Sequence, residues 1–411
     1  MIQYRATSSN IGQQSESVPL EKVSQGLFPA RYRRSIILFL IATFFYWLGL
    51  YLFVPIFPVY AQSMGASLSM VGVIVASYAF PQLLLRIPMG IYYDSMKRRK
   101  PMVAMAMVAV TAGALGLGLA QNVNFLLVGR IITGIGGATW VAFTVYMASY
   151  YPHQSGARAI GLINSVNGIA LVVATFSGGV IAEYWSPRHT FFIAALLGMV
   201  GLVVLLISRE PAAQPASNIS FASIRKVISS RLLLIVSFMG ILLQFAMFAG
   251  MFGFIPIYAA RIGASSADLG MITTVALAAA AVAAILSIPV AERIGYTASI
   301  LFGSILIAIA LVIVPLIHTI PLLIAIQVLN GFGRGVLQTV LMALSIQSIA
   351  PQQRATAMGF YHADYAVGMI AGPMVSGVLA DNMGLSSVFY LSASLLLVIG
   401  GMAFLPALRK S

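Results

Sequence analysis

The chain has no cysteine, nine acidic residues and four histidines among its 411 positions. Without thiols it forms neither a disulfide nor a thiolate metal site, and a cysteine nucleophile is excluded. The histidines show no ligand spacing, so no metal is expected, and no cofactor is expected either. Charged residues of either sign make up only 8% of the chain against 60% hydrophobic, too few polar side chains to cover a globule in water. No Gly-rich phosphate-binding loop occurs, which argues against direct ATP drive, and nothing in the sequence points to an enzyme.

What is present is a series of apolar runs, each able to cross ~30 Å of hydrocarbon as a helix, the backbone form that satisfies its own hydrogen bonds in lipid. Twelve spans are expected, at about 36–60, 69–91, 101–120, 124–149, 159–183, 190–208, 232–258, 268–290, 297–317, 321–349, 357–381 and 386–405. The fold class is therefore all-α integral membrane, with the lipid bilayer as solvent.

The net charge of +14 would suggest nucleic acid in a soluble protein, but here the basic residues sort by side. With both termini cytoplasmic, eighteen of the 23 basic residues fall on inner loops and tails, and only Arg188 and Arg261 fall outside. Arg86, Arg130 and Arg334 lie within spans. No nucleic-acid partner is expected. The compact loops suit a multi-pass protein of a cell membrane, most simply a bacterial inner membrane, and a monomer. Residues 1–34 read as a cytoplasmic tail without the apolar core of a signal peptide, and 406–411 as a second tail.

Sliding the sequence on itself by 198 positions lays Pro58 to Gly72 (PVYAQSMGASLSMVG) over Pro256 to Gly270 (PIYAARIGASSADLG) without a gap. Seven of the fifteen pairs are identical, where composition alone gives roughly one or two. The same offset pairs Gly179 with Gly377 and Glu183 with Asp381. Six helices separate equivalent positions, so residues 35–208 and 232–405 are expected to form two parallel six-helix bundles related by a pseudo-twofold axis along the membrane normal. The basic, Pro- and Ser-rich stretch 209–231 would connect them on the cytoplasmic side. Two such bundles can rock about a central site and open it to each side in turn. A duplicated scaffold or a non-transporting sensor is the alternative.

Two motifs carry a family resemblance. After the second span, Gly90 to Lys100 (GIYYDSMKRRK) resembles the major facilitator superfamily signature, with Asp94 and Arg98 on its acidic and basic places, although Ser95 and Lys97 depart from it. In the fourth span, Arg130 to Ala138 (RIITGIGGA) is similar to the family's Arg and double-glycine pattern. The resemblance covers roughly residues 36 to 405 and implies a twelve-span secondary transporter of a small-molecule substrate. It implies that Asp94 faces the start of the eleventh helix, whose dipole favours an anion there, and it links Arg130 to proton coupling. A solvated charge at Asp94 and ordinary small-residue packing after Arg130 are the plainer readings. The fifth-span mark of the drug and proton antiporters is degraded, with Ala174 and Thr175 in the Gly-Pro places, whereas the repeat partner keeps Gly372 and Pro373.

A charge at mid-bilayer costs at least ~2.5 kcal/mol, so each intramembrane ion needs a partner, water or a role. Arg86 stands about 12 Å up the second helix and Asp364 about 10 Å up the eleventh, so the two are level; because the family resemblance implies that these helices touch across the cytoplasmic half of the interface, an Arg86–Asp364 gating pair is expected, with Arg334 the rival partner. Protonation of Asp364 would then act as a switch; a permanent structural pair is the alternative. His362 points about 160° away from Asp364 around the helix and is not expected to share its proton. Candidate coupling residues are thus Arg86, Asp94, Arg98, Arg130, Arg334 and Asp364. The candidate cavity wall consists of Tyr46, Trp47, Tyr51, Trp140, Asn164, Asn167, Gln244, Tyr361 and Tyr365, which offer aromatic faces and hydrogen bonds for an amphipathic solute. A proton-coupled exporter is the favoured reading, and a proton symporter or facilitator for an anionic metabolite, received by the surplus arginines, is the alternative.

Overall fold

The structure, a computed structural model, describes residues 28–96, 98–152, 155–210, 229–350 and 353–409. Most of the expected N-terminal tail and of the connector therefore lies outside the described residues. Among the described residues twelve helices are long and apolar enough to cross a membrane, and there is no strand. We number the spans α1 (Arg33–Tyr51), α2 (Leu68–Ser77 continued by Phe80–Ser95), α3 (Lys100–Leu119), α4 (Val123–Ala138 continued by Trp140–Ala148), α5 (Gly156–Tyr184) and α6 (Pro187–Ile207). The second half comprises α7 (Arg231–Ala249 continued by Ile255–Arg261), α8 (Ser266–Ile294), α9 (Tyr296–Ile313), α10 (Ile320–Gln347), α11 (Arg354–Met383) and α12 (Leu385–Met402). With an even number of crossings, α1 begins and α12 ends on one face, the terminal face; the other is the distal face.

The departures from the expected spans have local causes. The first span was expected to run to residue 60, but α1 ends at Tyr51 and a short helix, Phe57–Ser63, follows, because Pro55 and Pro58 supply no backbone donors. The second is interrupted at Tyr78 and Ala79, just before Pro81. The seventh carries a π-helical turn, Gly250–Phe254, with Gly250 and Gly253 allowing the widened backbone.

The letter repeat is also a conformational repeat. Gly65 and Gly263, 198 apart, both take a left-handed φ near +90° that a side chain would resist (92° and 93°). Two residues on, Ser67 and Ser265 each cap a helix, accepting from the backbone N–H of Met70 and of Asp268. Each half thus begins its second helix with the same glycine turn and serine cap.

The two halves, α1–α6 and α7–α12, meet through α2 against α11 and α5 against α8. The helices α3, α6, α9 and α12 turn large apolar side chains outward, Leu115, Leu196, Phe302 and Leu397 among them, where lipid covers them. Polar side chains collect instead between the halves.

Candidate functional site

A cavity of about 200 Å³ lies between the halves. Seven of the nine expected wall residues line it: Trp47 and Tyr51 of α1, Trp140 of α4, Asn164 and Asn167 of α5, Gln244 of α7 and Tyr365 of α11. The other two do not. Tyr46 is fully buried against the Phe143 ring at 4.5 Å, and Tyr361 packs on Gly240, so both serve the interior of their own half. Gln244 donates to Gln338 at 3.4 Å, which sets its amide across the cavity-facing side of α7.

Sequence reasoning missed Tyr78, Gln82, Phe248, Phe252 and Met369, which also line the cavity. A signal for them existed. Residues four apart share a helix face, so Arg86 leads back to Gln82 and Tyr78, Gln244 forward to Phe248 and Phe252, and Tyr365 to Met369.

The intramembrane charges are arranged differently from the expected pairing. Arg86, 7% exposed, donates from one terminal nitrogen to the His362 carbonyl across the interface and from the other to Gln82 Oε1 at 2.8 Å. Its guanidinium also lies 5.5 Å from the centre of the Tyr365 ring. Asp364 instead lies against Ser237 of α7. Counting residues gives depth along a helix but not azimuth. Arg86 meets the face of α11 that carries Tyr365, and Asp364, one residue earlier, is turned about 100° from it toward its own half. His362 joins Tyr365 through Nδ1 at 2.9 Å and makes no hydrogen bond to Asp364.

Arg334 is the other guanidinium on the cavity, resting 3.7 Å from the Met251 Sδ and 5.8 Å from the centre of the Phe252 ring. It does not pair with Asp364. Arg130 does not line this cavity but a smaller pocket that shares Tyr51, Tyr78, Phe248 and Phe252 with it; it is 5% exposed, with its guanidinium caged by the rings of Tyr78 at 4.5 Å, Phe57 at 5.2 Å and Phe53 at 5.6 Å. Its Nε and one terminal nitrogen have no hydrogen-bond partner. Cation–π contact offsets part of the cost of burying this charge. Arg98 is exposed in the loop between α2 and α3. The side chain of Asp94 lies outside what is described, so the expected latch with α11 does too.

A latch of the kind expected at Asp94 stands at the opposite face, and it occurs twice. At the distal end of α11, Asp381 accepts from the backbone N–H of Leu68 at 3.1 Å, from that of Ser69 at 2.8 Å, and from the Ser69 hydroxyl. At the distal end of α5, Glu183 accepts from the backbone N–H of Ser266 at 2.8 Å. Both carboxylates sit at the N-terminus of a helix in the other half, where free N–H groups and the helix dipole favour an anion. Donors and acceptors alike keep the 198-residue offset: Asp381 with Glu183, and Leu68 with Ser266.

Below each latch the helices touch backbone to backbone. A Cβ on Gly72 would stand 2.2 Å from the Pro373 carbonyl oxygen, and one on Gly270 would stand 2.8 Å from the Thr175 carbonyl oxygen. Gly179 and Gly377 complete the two contacts, and the hydroxyls of Thr175 and Thr274 add a cross-half hydrogen bond at 2.9 Å. The Gly-Pro place that survives in α11 and its altered counterpart in α5 thus supply the carbonyls on which the opposing glycines rest. Toward the terminal face the picture reverses, since Gly161 of α5 and Gly359 of α11 face no neighbouring atom within 4 Å. The tightest backbone contacts between the halves thus lie toward the distal face.

Comparisons with known proteins agree with this architecture. A sequence profile described as Major Facilitator Superfamily matches residues 39–266 and 253–411. An uncharacterised MFS-type transporter of Methanocaldococcus jannaschii is 22% identical over 387 residues, covering 91% of this chain and 98% of the relative. The multidrug resistance protein MdtG of Proteus mirabilis is 23% identical over 377 residues, covering 88% and 94%. Among solved structures, an inward-facing, unoccupied bacterial homologue of the human lysosomal transporter Spinster superposes with a TM-score of 0.80 at 16% identity, covering 93% of this chain and 98% of that one. The human organic anion transporter MFSD10 superposes with a TM-score of 0.67 at 17% identity, covering 91% and 100%.

Proposed function

Because the chain belongs to the major facilitator superfamily, a family of membrane transporters rather than enzymes, we propose that it is a proton-coupled exporter of a small amphipathic organic solute. The observation that carries this reading is the cavity between the halves, to which each half contributes both aromatic and hydrogen-bonding side chains, with two symmetric latches joining the halves at the distal face. Such a cavity loads from the terminal face. The sorting of basic residues supports a cytoplasmic terminal face, so loading would occur from the cytoplasm, as export requires. Similarity to MdtG, named for multidrug resistance, supports the same direction. Rocking the halves would break the distal contacts and close the terminal side, exposing the solute outside.

Asp364 is the carboxylic acid we assign to proton coupling. It is half-buried within a span, lies against Ser237 in this state, and has no arginine across from it that would hold it permanently ionised. A carboxyl without a fixed counter-ion in a low-dielectric site exchanges its proton when its surroundings change. Solute movement in proteoliposomes, followed over a panel of fluorescent and radiolabelled amphipathic compounds with and without a pH gradient, tests the reading. Asp364→Asn should reduce gradient-driven accumulation to the level of empty liposomes while leaving solute exchange at equal pH measurable. Full gradient drive in that variant would remove Asp364 from the coupling step.

A further inference from the structure

The cavity presents two guanidiniums and no carboxylate. Arg86 comes from α2 in the first half and Arg334 from α10 in the second, so the two positive charges face the same space from opposite sides of the interface. Neither has its donors filled. Arg86 uses two donors, on the His362 carbonyl and Gln82, and its buried Nε has no partner. Arg334 has a thioether, a weak acceptor, at 3.7 Å and an aromatic ring. Asp364, the acid nearest in sequence to the cavity residue Tyr365, does not line the cavity.

A guanidinium with unfilled donors on a wall that lacks an anion is an unfavourable arrangement for a cavity meant to stay empty or to hold a cation. It becomes favourable once an anion enters, because the planar fork of an arginine pairs with a carboxylate-like group through two parallel hydrogen bonds. We propose that the transported solute bears an anionic group, a carboxylate, phosphonate or sulfonate, received by Arg334 and Arg86 together. Its flat apolar part lies against Trp47, Trp140 and Phe252. The assignment rests on reading this cavity as the solute site. A neutral amide of the same shape keeps the ring contacts but accepts from the arginines without charge assistance. An ammonium meets two like charges with no counter-ion beside them. Because the two arginines belong to different halves, a bound anion would also tie the halves together at the level of the cavity.

The test uses three probes of matched shape: 2-naphthoate, 2-naphthamide and 2-naphthylmethylammonium. Binding is measured by equilibrium dialysis against the full-length protein in lipid nanodiscs, with uptake by empty nanodiscs subtracted. We expect 2-naphthoate to bind at least about tenfold more tightly than the amide, the size of one charge-assisted hydrogen bond, and the ammonium to bind weakest. In Arg334→Gln the preference for 2-naphthoate over the amide should shrink to within about threefold while amide binding persists, and Arg334→Lys should keep part of it. Amide binding shows that the glutamine variant retains its cavity, and its melting temperature reports its fold. Equal affinity for the three probes, no saturable binding of 2-naphthoate, or an unchanged preference in a folded Arg334→Gln would overturn the proposal. Equilibrium binding needs no flux, so a cavity that does not prefer anions in a protein that still moves solutes in liposomes refutes the anion alone. Anion preference without any solute movement refutes the transport reading alone.

Discussion

Gly72→Val should stop transport and hold the protein open at the distal face. The wild-type contact leaves no room, since even the first carbon of a side chain would sit 2.2 Å from the Pro373 carbonyl oxygen and 3.3 Å from the Gly377 Cα. Both neighbours are backbone of a packed helix and cannot swing aside, so α2 and α11 would have to separate by roughly 1 Å to restore ordinary contact. Overpacking costs about 1–3 kcal/mol where side chains absorb it, and a backbone contact belongs at the upper end. The cost falls on the distally closed state alone, because the helices part when that face opens. The population should therefore shift by roughly a hundredfold toward the open form. Gly179→Val, in the matching contact with Gly270, should do the same from the other side of the pseudo-axis. Gly401→Val, where no neighbouring atom lies within 4 Å, serves as the inert comparison.

The absence of native cysteine makes this directly measurable. Asn167→Cys places one thiol on the cavity wall, and a membrane-impermeant maleimide applied from the distal side reaches it only through an open distal face. Labelling should be slow in the otherwise unaltered chain, fast with Gly72→Val or Gly179→Val, and unchanged with Gly401→Val. Equal labelling of all four would mean that the glycine contacts do not seal that face.

Removing the two distal carboxylates should act in the same direction and in proportion. Asp381→Ala deletes three hydrogen bonds to the start of α2, and Glu183→Ala deletes one to the start of α8. Replacing a helix-capping acceptor costs about 0.5–2 kcal/mol, and the charge at the dipole adds about 0.3–1 kcal/mol where it is exposed, as Asp381 is. Each substitution should therefore raise distal labelling of the Asn167→Cys thiol about tenfold, with Asp381→Ala the larger effect. The latches sit on different helix pairs, so their effects should multiply in the double variant. Asp381→Asn keeps an acceptor without the charge and should fall between wild type and alanine. A double variant no more reactive than either single would show that the latches are not independent.

Much of the architecture was readable from the letters. Hydrophobic runs, the basic residues between them and the 198-residue offset suffice for twelve helices in two like halves, because lipid admits only helices at this composition and the offset covers an even number of crossings. Part of the cavity wall was readable too, since Trp47, Trp140, Asn164, Asn167 and Gln244 are conspicuous in otherwise apolar spans. Tyr46 and Tyr361 show the limit of that reasoning. A tyrosine in a span is equally suited to packing, and only the direction of its helix face decides which role it takes.

The sequence by itself determined the number of spans, their pairing into repeats and the surplus of buried positive charge, because each depends on composition and order along one chain. The tertiary structure alone decided that Arg86 meets a backbone carbonyl and not Asp364, that Arg130 is caged by rings, and that Asp381 and Glu183 clasp the opposite half. These depend on how far each helix is rotated about its own axis and on which end the halves have closed, and neither quantity is written in residue spacing.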